Sequence, residues 1–255
     1  MIKFFRKIRQ NLLMENKTGK YLKYAVGEIV LVVIGILIAL SINNWNENKK
    51  LVNKEVKILK EIKYELEGSL NDLTDDIEDH QRNLNSTRII RNTMLFNEKY
   101  NDSLNEHFLL IVDHETFTAK QSAFESLQSI GLEIISNDSI RQKITTTYLF
   151  MKKFTIEDTP ANKLATKLLG LLEPYVAIDR EKLISDPELT NREYWSRKLP
   201  FKLINYDVLL KDEVFLFNLM GSIDSRVENI YGFERFKKGI EEVILDITQE
   251  LKRLE

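Results

Sequence analysis

Eighteen consecutive residues, Ala25 to Ile42, carry a single charge, Glu28, and no other stretch restricts the fold of this chain so severely. As a helix rising ~1.5 Å per residue the run covers roughly 27 Å, close to the ~30 Å hydrocarbon core of a bilayer. Tyr21 and Tyr24 precede it and Trp45 follows it. Such amphipathic aromatics sit at the two membrane interfaces, so these three are the expected interface anchors. A buried core helix would keep a polar stripe, and none is present between Ile29 and Leu40. The run is therefore expected to be a transmembrane helix over residues 24–45. A cleaved signal peptide is the rival reading, because Ala39-Leu40-Ser41 offers small residues at a suitable spacing. The long, patterned basic region ahead of the run favours an uncleaved signal anchor.

Charge is distributed unevenly about the run. Residues 1–23 hold seven cations (Lys3, Arg6, Lys7, Arg9, Lys17, Lys20, Lys23) against one acid, Glu15, a net +6 that leaves −8 of the total −2 for residues 24–255. An acidic body argues against a nucleic-acid partner. The first segment alternates Ile2, Phe4, Phe5, Ile8, Leu12 and Leu13 with cations at spacings of three and four. Residues 1–23 thus read as a basic amphipathic segment lying in the cytosolic interface, with Lys3, Arg6, Lys7 and Arg9 contacting anionic lipid. After the run, five lysines (Lys49, Lys50, Lys54, Lys57, Lys60) count against the seven cations before it. The excess favours a cytosolic N-terminus and an extracytoplasmic body in the cytoplasmic (inner) membrane, periplasmic in a Gram-negative cell.

Glu28 lies about one helical turn inside the run. It can snorkel toward cytosolic headgroups beside Lys20 or Lys23, face another helix, or line a proton or ion path. Gly27, Gly35 and Ala39 fall at multiples of four, and Gly35-x-x-x-Ala39 is a small-residue pair that permits close helix approach. Gly27, Glu28, Gly35 and Ala39 are therefore the candidate helix-packing or partner contacts. The expected partners are membrane lipid, and a second copy of the chain or other membrane proteins.

Residues 46–255 read as an α-helical extracytoplasmic domain. A seam with Leu70, Ile77 and Leu84 at a and Leu59, Leu66, Leu73 and His80 at d runs for three to four heptads, broken by Lys63 at a. It is either a coiled coil between chains or, by preference, one wall of an intrachain bundle, and it can continue the span outward as a stalk. Later helices are expected over Leu104–Val112, from Thr116 or Thr118 to a stop at Gly131, from the Ser136–Ser139 cap to Phe154, from Thr159-Pro160 to Tyr175, and from Asp207 or Asp212 to the end, with bends at Gly221 or Gly232. Asp186-Pro187 repeats a cap signal. Strand alternation is nowhere sustained. The fold class is all-α.

Chemistry is scarce. The chain has no cysteine, which excludes disulfides, thiolate zinc sites and a thiol nucleophile. Asp72, Asp75, Asp76, Glu78 and Asp79 form an acidic cluster without the glycine-containing loop of a calcium site, so a solvated helix face is expected. His107, Asp113, His114 and Glu115 lack the spacing of a zinc motif. No phosphate loop or nucleophile elbow is present, and no cofactor, metal or catalytic residue is assigned. Asn191–Phe201 mixes aromatics with cations and reads as a packed loop, with Tyr194 and Trp195 as a second possibility for ligand contact.

Two segments carry a family resemblance. "MIKFFRKIRQNLLMENKTGKYLKYAVGEIVLVVIGILIALSINNWNE" resembles the N-terminus of a family of uncharacterised Bacteroidota membrane proteins defined by a domain of unknown function. "SAFESLQSIGLEIISNDSIRQKITTTY" (Ser122–Tyr148) is similar to that family's central helix–Gly–helix segment. The resemblance implies a single-pass anchor and a helical extracytoplasmic body, and it brings no activity with it. The expectation is a non-enzymatic envelope scaffold, assembly partner or sensor. The alternative is a membrane-anchored enzyme that uses carboxylates of the helical body on envelope components.

Overall fold

The computed structural model describes residues 18–114, 117–154, 159–185 and 201–255. The chain divides into two units, Met1–Lys57 and Ile58–Glu255. The first helix, α1 (Thr18–Phe96), supplies the described part of the first unit and the opening wall of the second. The remaining helices are α2 (Leu104–Ile111), α3 (Ser122–Ile130), α4 (Asp138–Phe154), α5 (Pro160–Leu172), α6 (Arg180–Ser185), α7 (Tyr206–Leu209) and α8 (Glu213–Leu254). With 84% of the described residues helical, the architecture is all-α, as the periodicity implies. One addition escaped the alternation test. Strands β1 (Val176–Ile178) and β2 (Phe201–Leu203) pair antiparallel, with Ala177 opposite Lys202. At three residues each they are too short to show a period of two.

The seam of α1 packs within the chain. Leu59, Leu66, Leu73, Ile77, His80 and Leu84 are all buried. α8 runs beside them in the opposite direction, joined by Lys60 Nζ to Glu255 Oε1 at 2.7 Å and by the His80 and Phe233 rings at 5.0 Å. α8 buries Phe215, Leu219, Ile223, Phe233, Phe236, Ile240, Val243, Ile247 and Leu251, a set that recurs mostly at three and four. α4 (Ile144, Tyr148, Met151) and α5 (Ala161, Ala165, Leu168, Leu172) also bury apolar faces. At one end of the unit Ile90, Met94, Phe108, Ile111, Leu168, Leu172, Leu209, Phe215 and Leu219 form a single cluster.

Helix ends follow local chemistry where a cap is adjacent. The Asp212 side chain accepts from Phe215 N–H at 2.9 Å, and α8 then continues through Gly221 and Gly232 as one helix. Thr159 accepts from Asn162 N–H, with Pro160 at the first helical position. Asn137 Oδ1 accepts from Ser139 N–H at the start of α4. Gly131 ends α3 at φ +100°, a conformation that strains any residue with a Cβ. The expected start of that helix at Thr116 or Thr118 is corrected to Ser122. Its cap is a distant carboxylate, described below. Arg226 is fully buried and donates to Ile111 O and Asp113 O, both at 3.2 Å, so a cation satisfies carbonyls at the end of α2. Asp186-Pro187 and residues 191–200 lie outside the described residues.

Candidate membrane span and binding cleft

Within α1, the apolar side chains from Ile29 to Ile42 all face outward. Ile29 is 63% exposed, Val33 47% and Leu37 57%. α1 is the one helix among the described residues long and apolar enough to cross a membrane. A Cβ added at Gly27 or Gly35 would meet nothing within 4 Å. Gly27, Glu28, Gly35 and Ala39 thus share a helix on which the glycine positions lie open. Glu28 is half-buried and engaged in a polar interaction. Trp45 is exposed, with Lys49 Nζ 5.5 Å from its ring centroid, an ammonium over an aromatic face. The side chains of Tyr21 and Tyr24, and Lys3, Arg6, Lys7 and Arg9 altogether, lie outside the described residues.

In the second unit Glu65 is a buried acid that sequence reasoning passed over. The residue is only 6% exposed. Oε2 accepts from Ser122 Oγ at 2.7 Å and from Ala123 N–H at 2.8 Å, and Oε1 accepts from the Tyr148 hydroxyl at 2.6 Å. A carboxylate from α1 therefore caps the N-terminus of α3, where unpaired N–H groups and the helix dipole favour negative charge. The Tyr148 ring stacks on Phe124 at 4.3 Å with an interplanar angle of 4°. Burial and the neighbouring carboxylate hold the Tyr148 hydroxyl protonated far above its usual range. Glu65 occupies a c position of the heptad, outward in a two-stranded coil, so the seam gave no signal for it. It is buried because the bundle presents a third wall there.

Above Glu65 lies an open cleft of about 620 Å³ lined by Glu61, Tyr64, Glu65, Glu67, Gly68, Asn71, Lys120, Ser122, Ala123 and Ser126. Lys120 crosses over Gly68, where an added Cβ would stand 3.1 Å from Nζ, and pairs with Asp72 at 2.8 Å. The acidic cluster is consequently not the plain solvated face expected of it. Asp72 is paired, and half-buried Asp76 has its carboxyl raised to about 6, first by desolvation; His80 opposes that shift while Asp79, Asp72 and Asp75 add to it. Glu78 and Asp79 remain exposed.

The two histidines considered for metal are held apart. His107 Nδ1 lies 3.0 Å from Ser86 Oγ on α1, and His114 Nε2 lies 2.9 Å from Thr166 Oγ1 on α5. Among the described residues no group of three or more metal-ligating side chains converges.

These features define an α-helical protein with one helix able to span a membrane and a helical unit built around the continuation of that helix. The chain belongs to a family of unknown function, DUF6090, which it matches over residues 28–157, 130 of its 255 residues. The match takes in most of the apolar run, the Glu65 cap and the Ser122–Tyr148 segment, and begins after the basic head. No curated protein and no solved structure matches the chain.

Proposed function

We propose that this is a single-pass protein of the cytoplasmic membrane, with its N-terminus in the cytosol and its helical unit outside it, acting by binding as an envelope scaffold, assembly partner or sensor. In a Gram-negative cell the helical unit is periplasmic. The observation that carries the reading is the run Ile29–Ile42, whose large apolar side chains have no protein surface over them. Eleven such side chains in water would be a severe solubility defect, whereas in hydrocarbon they need no cover. Gly27, Glu28, Gly35 and Ala39 then supply the face on which a second copy or another membrane protein packs. A binding role in place of catalysis is supported by the placement of the acids. Asp76, whose carboxyl is raised toward neutrality, is not among the residues lining the cleft.

Topology is testable because the chain has no cysteine. Single cysteines at Asn11 and Asn101 should respond differently to an impermeant thiol reagent applied to intact spheroplasts, with position 101 labelled and position 11 protected until lysis. Labelling at 11 alone would reverse the orientation.

A further inference from the structure

We propose that the outward side of α8 is a docking surface for a basic amphipathic helix of a partner protein. α8 carries two apolar faces. One is the inward set around Phe215, Leu219 and Phe233, which is buried. The other, Phe217, Met220, Val227 and Tyr231, is exposed, Phe217 to 77% and Tyr231 to 69%. Together with Asp224 these outward residues recur at steps of three, four, three and four, a seam of two heptads. Apolar residues scattered singly over a surface have no such period. This period is the one by which one helix seats its side chains between those of another, so it selects a helix as the occupant. At ~1.5 Å per residue the seam runs about 21 Å, four turns of a partner. The charges then select the sign. Asp224 sits within the seam, Glu213 and Glu228 border it, and all three are exposed. Among the described residues none of the three has a hydrogen-bond or ion-pair partner. Between Glu213 and Tyr231 the one cation is Arg226, which is buried and donates to Ile111 O. Arg235 and Lys238 come only beyond the apolar part. A helix with lysine or arginine in and beside its apolar stripe answers both the seam and the acids. An anionic lipid surface or an acidic helix is repelled, and a second copy laid parallel would set Asp224 against Asp224.

The inference rests on the binding role proposed above and gives it a partner class, but it does not depend on the side of the membrane that the unit occupies. Failure of the topology experiment would leave it standing, and its own failure would leave the anchor and its helix-packing face standing.

The test uses the full chain in nanodiscs of zwitterionic lipid, which do not compete for a basic peptide. A single cysteine is introduced at exposed Val214 beside the seam or, as a control, at exposed Leu149 on α4. The probes are amphipathic heptad peptides of about 18 residues, one of leucine and lysine and one of leucine and glutamate, each made with a cysteine at either end. The lysine peptide should be trapped as a disulfide at 214, and not at 149, at about tenfold lower concentration than the glutamate peptide. Phe217→Ala should raise the concentration needed at least about fivefold, the loss of an aromatic anchor. Asp224→Lys with Glu228→Lys should reverse the order of the two peptides, a change of sign that general destabilisation would not produce. Unaltered thermal melting of these exposed-site variants checks that they fold. Equal trapping of both peptides, equal trapping at 149, no trapping at millimolar peptide, or an order that the charge reversal leaves unchanged would overturn the proposal. A chain-to-chain disulfide at 214 that neither peptide displaces would overturn it too, and would give the face to a second copy.

Discussion

Two stretches of α1 use the same residue types to opposite ends. Between Ile29 and Ile42 apolar residues occur on every side of the helix and are exposed. Between Ile58 and Met94 they recur at three and four, and Leu59, Ile62, Leu66, Leu73 and Ile90 are fully buried. Both stretches are rich in Leu and Ile, but the first carries no charge while the second sets its apolar residues among charged ones. Period follows the same division: an all-round apolar pattern has no preferred protein partner and suits hydrocarbon, while a stripe requires a second helix. The contrast extends to acids. In the second stretch Glu65 is buried and accepts three hydrogen bonds, whereas Glu28 is half-buried close to one end of the apolar run.

The contrast predicts different penalties for similar changes. Lysines at Ile34 and Leu37 together should cost about 5–7 kcal/mol of insertion free energy, at ~2.5–3.5 kcal/mol each near a helix centre. The variant should move from the membrane to the soluble or aggregated fraction on flotation. Retention in the membrane would mean that these residues do not sit in hydrocarbon.

Core truncation should be next in size. Leu66→Ala removes a fully buried side chain and should lower the stability of the helical unit by about 3–5 kcal/mol. Val33→Ala, the same kind of change in the span, should leave the denaturant midpoint of that unit unmoved. Equal effects at both positions would abolish the distinction between stripe and all-round burial. Glu65→Gln sharpens the point for polar groups. It removes a charge from the α3 terminus and replaces one acceptor by a donor facing Ser122, Ala123 or Tyr148, at a cost of about 2–3 kcal/mol. Glu61→Gln, one turn away and exposed, should cost almost nothing by the same urea titration.

These cases also mark where the fold was readable in the sequence. The long apolar helix, the seam, the Asp212 and Thr159 caps and the Gly131 stop depend on residues within one or two turns, so spacing revealed them. The start of α3 did not, because its cap comes from Glu65, 57 residues before Ser122. The β1–β2 ribbon was too short for alternation to register. The cleft follows from Lys120 crossing Gly68 and from α3 docking on α1, a meeting of segments that no local pattern encodes. The family's Ser122–Tyr148 segment was visible as a motif, and its physical content, both ends tied to one carboxylate, needed the tertiary arrangement.

The smallest effect has the opposite sign. Asp76 is a half-buried acid one turn before His80, which packs on the Phe233 ring, and desolvation raises its carboxyl to about 6. A folded-state value above the unfolded one means that folding takes up a proton. The favourable contribution is fully present below about pH 4, the unfolded value, and is lost as pH rises through 6. At pH 7 the ionised group therefore opposes folding, by about 1 kcal/mol once its partial hydration is taken into account. Asp76→Asn, which keeps the shape and removes the charge, should raise stability by about that amount at pH 7 and by almost nothing at pH 4. Asp75→Asn, one residue away and exposed, is the control and should show no such pH-dependent gain. Urea midpoints of the two variants across pH 4–8 decide the matter. A gain for Asp76→Asn that is flat with pH would mean that packing, and not the burial of charge where the helix meets its bundle, sets the difference.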